Sequence, residues 1–99
     1  MLYAINATDK PNSIELRRAT RTKHLEYVNA LVDAGRVALA GPYPSIDSPD
    51  PGPAGFAGSL IVAEFDSLEA AEQWVDHDPY SIAGVFMSVS VKPFVKVKP

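Results

Sequence analysis

Between Ala57 and Phe65 the chain carries the signal that most restricts its fold. Side chains of an extended segment alternate between two faces, so Ser59, Ile61, Ala63 and Phe65 share one side and Leu60, Val62 and Glu64 the other. Both sides are largely apolar. A sheet wetted on one face alternates more cleanly, so this strand belongs in a sheet with helices on one face and a further layer on the other, for which a second subunit is a candidate. The 99 residues, 46% of them hydrophobic, suffice for one core, which makes residues 1–99 a single expected domain. A domain of this size buries a modest fraction of its surface by folding alone, and a homodimer is the expected remedy.

Periodicity elsewhere supplies the partners of that strand. Met1 to Thr8 reads as a first strand, ended by the turn cluster Asp9-Lys10-Pro11-Asn12. A long helix follows, from Ser13 as N-cap to Ala34, with Leu25, Val28, Leu31 and Val32 as its apolar stripe and Gly35 as the stop. Arg36 to Gly41 reads as a second strand. Pro42 to Gly55 is rich in Pro, Gly, Asp and Ser and is expected to be irregular, either as a plain connection or as the border of a pocket or subunit contact. After the third strand, Asp66 or Ser67 caps a second helix whose inward stripe is Leu68, Ala71, Trp74 and Val75. Asp78-Pro79-Tyr80 opens a short helical turn, and Val85, Met87, Val89 and Val91 alternate with Phe86, Ser88, Ser90 and Lys92 in a last strand. The order is βαββαβ. An α+β, ferredoxin-like fold is therefore predicted, an antiparallel sheet with helices on one face.

Composition removes several functions. With no cysteine, disulfides, thiolate nucleophiles, iron–sulfur clusters and cysteine-ligated zinc are excluded. A formal net charge of -3 offers no general footprint for nucleic acid or an anionic membrane, and the basic run assigned to Lys92, Lys96 and Lys98 reads as solubilising charge. The start Met1-Leu2-Tyr3-Ala4-Ile5 has no positive n-region and is too short to span a bilayer, so a cytoplasmic protein is expected.

Few residues remain that could do chemistry. His24 lies four and seven residues before Val28 and Leu31, beside the helical stripe, where an imidazole is either a satisfied structural group or a poised acid or base. Asp78 has an ordinary role as cap of the turn it opens, and a functional one if it accepts a hydrogen bond from His24. Arg21, one turn before Leu25, is a surface cation or the holder of an anionic substrate group. Phe56 is a core plug or a pocket wall, and Tyr80 is close enough to Asp78 to share a pocket with it. Ser59 lacks the strand-to-helix elbow of a nucleophile. The two histidines, His24 and His77, show no metal-ligand spacing, so no metal is expected, and His77 reads as a surface residue. Gly52 to Gly58 lacks the Lys-Ser/Thr ending of a phosphate loop and leads into a strand.

Taken together, Arg21-Thr22-Lys23-His24-Leu25, Ala40-Gly41-Pro42, Asp50-Pro51-Gly52-Pro53-Ala54-Gly55-Phe56, Gly58-Ser59-Leu60, Ser67-Leu68-Glu69-Ala70-Ala71, Asp78-Pro79-Tyr80 and Val91-Lys92-Pro93-Phe94 resemble the YCII-like proteins along essentially the whole chain. The resemblance implies a dimeric α+β barrel related to muconolactone isomerases, with His24 and Asp78 as a pair in an active-site pocket. The titratable group beside the helical stripe, with the family's pairing of it with this carboxylate, makes a cofactor-independent enzyme of small organic molecules the leading expectation, working by proton abstraction followed by isomerisation or elimination. One member of the wider superfamily is a dehydrochlorinase acting on a chlorinated hydroxyquinone, while most have no established reaction. Thr22-Lys23, where the family pattern has a Pro-Ala pair, and Val95 depart from that pattern. Arg21, Phe56, Ser59 and Tyr80 are the expected substrate contacts. The rival expectation is a non-catalytic ligand-binding or interaction module whose His–Asp pair only stabilises a pocket.

Overall fold

A computed structural model describes residues 1–99. Its elements run β1 (Leu2–Asp9), α1 (Ile14–Asp33), β2 (Val37–Pro44), a 3-10 turn (Gly52–Ala54), β3 (Phe56–Glu64), α2 (Leu68–Asp76), α3 (Pro79–Ala83) and β4 (Phe86–Phe94). The four strands form one sheet in the order β2-β3-β1-β4, every neighbouring pair antiparallel. This is the ferredoxin-like arrangement. α1 lies over β3, and α2 over β1 and β4, on one face.

The core forms where apolar residues of both layers meet. Tyr3, Ile5, Ile61, Ala63 and Phe65 rise from the sheet against Val28, Leu31, Ala71 and Val75 of the helices. Each large side chain so buried contributes about 1.5–3 kcal/mol relative to exposure. Phe65 is held between Tyr3, edge-on at 6.4 Å, and Trp74 at 5.7 Å, with the Arg36 guanidinium 5.2 Å over its ring. Ala63 is fully buried and Val62, on the opposite face of β3, is almost so.

Several local expectations change. β2 continues to Pro44, because Pro42 and Tyr43 pair with Ser59 and Gly58, so the segment expected to be irregular from Pro42 starts after the strand and contains the 3-10 turn. A proline is tolerated there since β2 is an edge strand, whose outer side has no ladder bonds to lose. In β4 the register shifts opposite Thr8 and Asp9, and Phe86 pairs with Asp9 on the helix side. Val85, expected to open the strand, precedes it and is fully buried. The irregularity turns Phe86 inward, where its ring meets Tyr80 edge-on at 5.8 Å.

The stripe of α1 is also displaced. Val28 and Leu31 are buried, but Leu25 and Val32 sit on its exposed shoulder, and the buried positions nearer its start belong to Arg17 and His24. Ser13 stands at the N-cap without capping through its side chain, its hydroxyl donating instead to the Lys10 carbonyl at 2.6 Å. Asn12 takes the left-handed conformation (φ 61°) that turns β1 into α1, which asparagine tolerates better than most residues. Of the two expected caps for α2, Ser67 is the one that accepts from the Ala70 N–H, at 3.0 Å, while Leu68 of its expected stripe is exposed.

Candidate functional site

The polar half of α1 borders a cavity of about 390 Å³ between the helix, β2, β3 and the 3-10 turn. Its size is in the range used for small molecules. The apolar wall comes from Ile14, Leu25, Val28, Pro42, Phe56 and Ile61. Ala40, Pro42, Ser59 and Ile61 line it because each belongs to the helix-facing set of its strand, with Ala40 opposite Ile61 and Pro42 opposite Ser59. Gly55 (φ 65°) closes the end of the 3-10 turn, and a Cβ there would lie 3.3 Å from Ile14, so the loop seats on α1 at glycine distance.

His24 and Asp78 meet at this cavity. Their side chains are 8% and 1% exposed as residues, and the imidazole Nδ1 is 2.8 Å from Asp78 Oδ1. The same carboxylate oxygen accepts the Tyr80 N–H at 2.9 Å, capping α3, so the capping and the pairing expected as alternatives coexist. An ionised carboxylate can only accept, so in the neutral imidazole paired with it Nδ1 carries the proton and the lone pair lies on Nε2. Nε2 makes no hydrogen bond within the chain, and His24 lines the cavity. Asp78 Oδ2 is buried without a partner, which leaves the carboxylate anchored through one oxygen.

A second buried pair braces the first. Arg17 donates to Asp9 Oδ2 at 2.7 Å and lies 4.7 Å over the Tyr80 ring, against which the His24 imidazole is stacked at 3.9 Å and 13°. Tyr80 is thus packed against both a guanidinium and an imidazole. Burial raises the Tyr80 phenol above its ordinary value, the Arg17 and Arg21 guanidinia opposing the shift. Burial also raises the Asp9 carboxyl, against the hydrogen bond and charge of Arg17. Tyr27, which donates to the Trp74 carbonyl at 2.7 Å, is raised by burial and by the nearby Asp78 charge.

All six residues singled out from sequence border this space or hold one that does: Arg21, His24, Phe56, Ser59 and Tyr80 line the cavity, and Asp78 sits behind His24. His77 is exposed at the C-cap of α2, with Nδ1 2.7 Å from the Gln73 carbonyl. Arg17, Arg18 and Asp9 were not anticipated. The clue was available, because Arg17, Arg18, Arg21 and Lys23 make a denser basic run than the C-terminal lysines, in a chain that is acidic overall.

The model of the YCII-related domain matches residues 1–95. The chain belongs to the YCII family. Over 97 residues it is 57% identical to protein YciI of Escherichia coli O6:H1, covering 98% of this chain and 99% of that one. An uncharacterized protein of Haemophilus influenzae is 47% identical over the same length, with the same coverage. Among solved structures, the YCII chain is similar to 5-chloro-2-hydroxyhydroquinone dehydrochlorinase (TftG) of Burkholderia phenoliruptrix AC1100 in complex with 2,5-dihydroxybenzoquinone. That likeness has a TM-score of 0.85 at 25% identity, over 96% of this chain and 94% of the other. The likeness carries a small-molecule enzyme's fold, and no helix of this chain is long and apolar enough to cross a membrane.

Proposed function

We propose that this YCII protein is a cofactor-independent enzyme that moves a proton on a small organic molecule held in the α1–β3 cavity, by isomerisation or by elimination such as dehydrochlorination. One observation carries the reading: the ring nitrogen of His24 that is not engaged by Asp78 belongs to a side chain lining a small-molecule-sized cavity. Nε2 takes a proton from an acidic C–H of the substrate, and the electron pair of that bond passes into an adjacent carbonyl as an enolate. From there the imidazolium returns the proton to another carbon, or the pair expels a leaving group such as chloride and the imidazolium gives its proton to solvent. Asp78 is a positioning residue. It holds the tautomer and stabilises the cation formed on His24. The similarity to TftG supports the elimination branch, because that protein is named as a dehydrochlorinase.

The test is turnover of a panel of enolisable and chlorinated hydroxyquinone-type compounds, followed with His24→Ala. Loss of turnover in the variant is expected; unchanged turnover would sink the reading. A non-catalytic ligand-binding module is favoured by one fact, that Asp78 Oδ1 has a structural task in capping α3. Calorimetry separates the two, since tight binding of compounds that are never transformed across the panel belongs to the module.

We also infer a homodimer joined through the outer sheet face. Support comes from Leu39, Tyr43 and Phe94, which are 54%, 40% and 42% exposed and, by their pairing with Val62, Gly58 and Leu2, lie on the side away from the helices. Light scattering should return twice the chain mass, and Leu39→Glu should return the single mass; a monomeric wild type contradicts the inference.

A further inference from the structure

The cavity is cationic in an unbalanced way. Three arginines, Arg17, Arg18 and Arg21, are among its sixteen lining residues, while no Asp or Glu is, although the chain as a whole carries a net charge of -3. The three cations are not equivalent. Arg17 is committed to Asp9 at 2.7 Å, with both side chains buried. Arg18 touches Glu15 at 3.4 Å with both partners exposed, a contact of small energetic weight. Arg21 makes no ion pair and no side-chain hydrogen bond. It stands three residues after Arg18 and three before His24, so the three follow one another along one side of α1.

A free guanidinium beside an apolar wall selects its ligand by shape as well as charge. Its planar fork of N–H donors matches the two oxygens of a carboxylate, and a cleft with one sign of charge and low-dielectric walls concentrates ions of the opposite sign. Beyond the fork, Leu25, Val28, Phe56 and Ile61 offer apolar surface, and the cavity has room for a single-ring body. We propose that the YCII cavity takes small carboxylates: a monoanion with an apolar body of one-ring size, its carboxylate paired with Arg21 and supported by Arg18. The apolar body then lies along Val28 and Ile61 and brings its carbon skeleton to His24. This inference rests on the reading that the cavity is the ligand site; it does not require that His24 does chemistry.

The experiment uses the full chain and three probes, followed by amide chemical-shift titration: benzoate, its neutral isostere benzamide, and inorganic phosphate. Benzoate is expected to bind at least about tenfold tighter than benzamide, and more tightly than phosphate, which has the charge without the apolar body. In Arg21→Gln, an exposed position where folding is not at stake, the benzoate preference should fall to near unity, while Arg21→Lys should keep part of it. Equal binding of benzoate and benzamide, phosphate binding as tightly as benzoate, an unchanged preference in Arg21→Gln, or no benzoate binding up to about 10 mM would each overturn the proposal. A failure of the catalytic reading shows differently, as turnover that survives His24→Ala while the benzoate preference and its dependence on Arg21 remain intact.

Discussion

The two ends of α1 pack on the same sheet and do opposite things. Its C-terminal part sets Val28 and Leu31 into the apolar core with Ile5, Ala63, Phe65 and Val75, and Val28 also reaches the cavity wall. Nearer its start, Arg17 and His24 take the buried positions, pair with Asp9 and Asp78, and border a cavity. Apolar packing fills space at close density, whereas buried ionic side chains require specific partners. The difference divides labour within one helix. One end holds the fold, and the other holds a site whose polar groups cost stability unless paired.

Substitutions at each end test that division. The largest effect belongs to the polar end: His24→Ala should lower turnover by about 10²- to 10⁴-fold, the usual contribution of a general base, measured as kcat on any compound the protein transforms. At the apolar end, Leu31→Ala should lose about 2–5 kcal/mol of unfolding free energy in urea titration and leave the affinity for benzoate unchanged. If Leu31→Ala altered affinity as strongly as stability, the two ends would not be separable. Gly58→Ala lies between them. A Cβ there runs into the Ala7 carbonyl and crowds Tyr43, so a loss of about 1–3 kcal/mol is expected as β1 and β3 are pushed apart.

The smallest effect is a pH dependence. Burial holds the Tyr80 phenol protonated above its unfolded value of about 10. Its contribution to stability is therefore fully present below pH about 10 and is lost as pH rises through the folded value, because the unfolded chain ionises first. Tyr80→Phe should flatten the alkaline fall of the melting temperature. A steeper fall in that variant would mean that the phenol ionises more easily in the fold than out of it.

Legibility in the sequence followed the same divide. β3, the Val28–Leu31 stripe and the Ser67 cap are set by periodicity and local chemistry, and they stand close to where those rules place them. Tertiary contacts decided the rest. The extension of β2 through Pro42 depends on being at an edge, and the inward turn of Phe86 depends on a register shift against β1. For the site, spacing put His24 beside the stripe and Asp78 at a cap, but their 2.8 Å contact joins residues 54 positions apart, which only the family resemblance anticipated. Leu25 and Val32 misled because both are apolar at helical spacing, while the buried face actually runs through Arg17 and His24, charged or titratable residues that a hydrophobic pattern scores as solvent-facing.

The catalytic proposal for the polar end depends on which nitrogen of His24 carries the proton. A long-range proton–nitrogen correlation of the His24 ring near neutral pH, in wild type and in Asp78→Ala, reads this directly. The account predicts protonated Nδ1 and unprotonated Nε2 in the wild type, with that preference lost in Asp78→Ala. A wild-type ring protonated on Nε2 with Nδ1 bare would contradict it, because the nitrogen available to the cavity would then have no lone pair with which to take a proton.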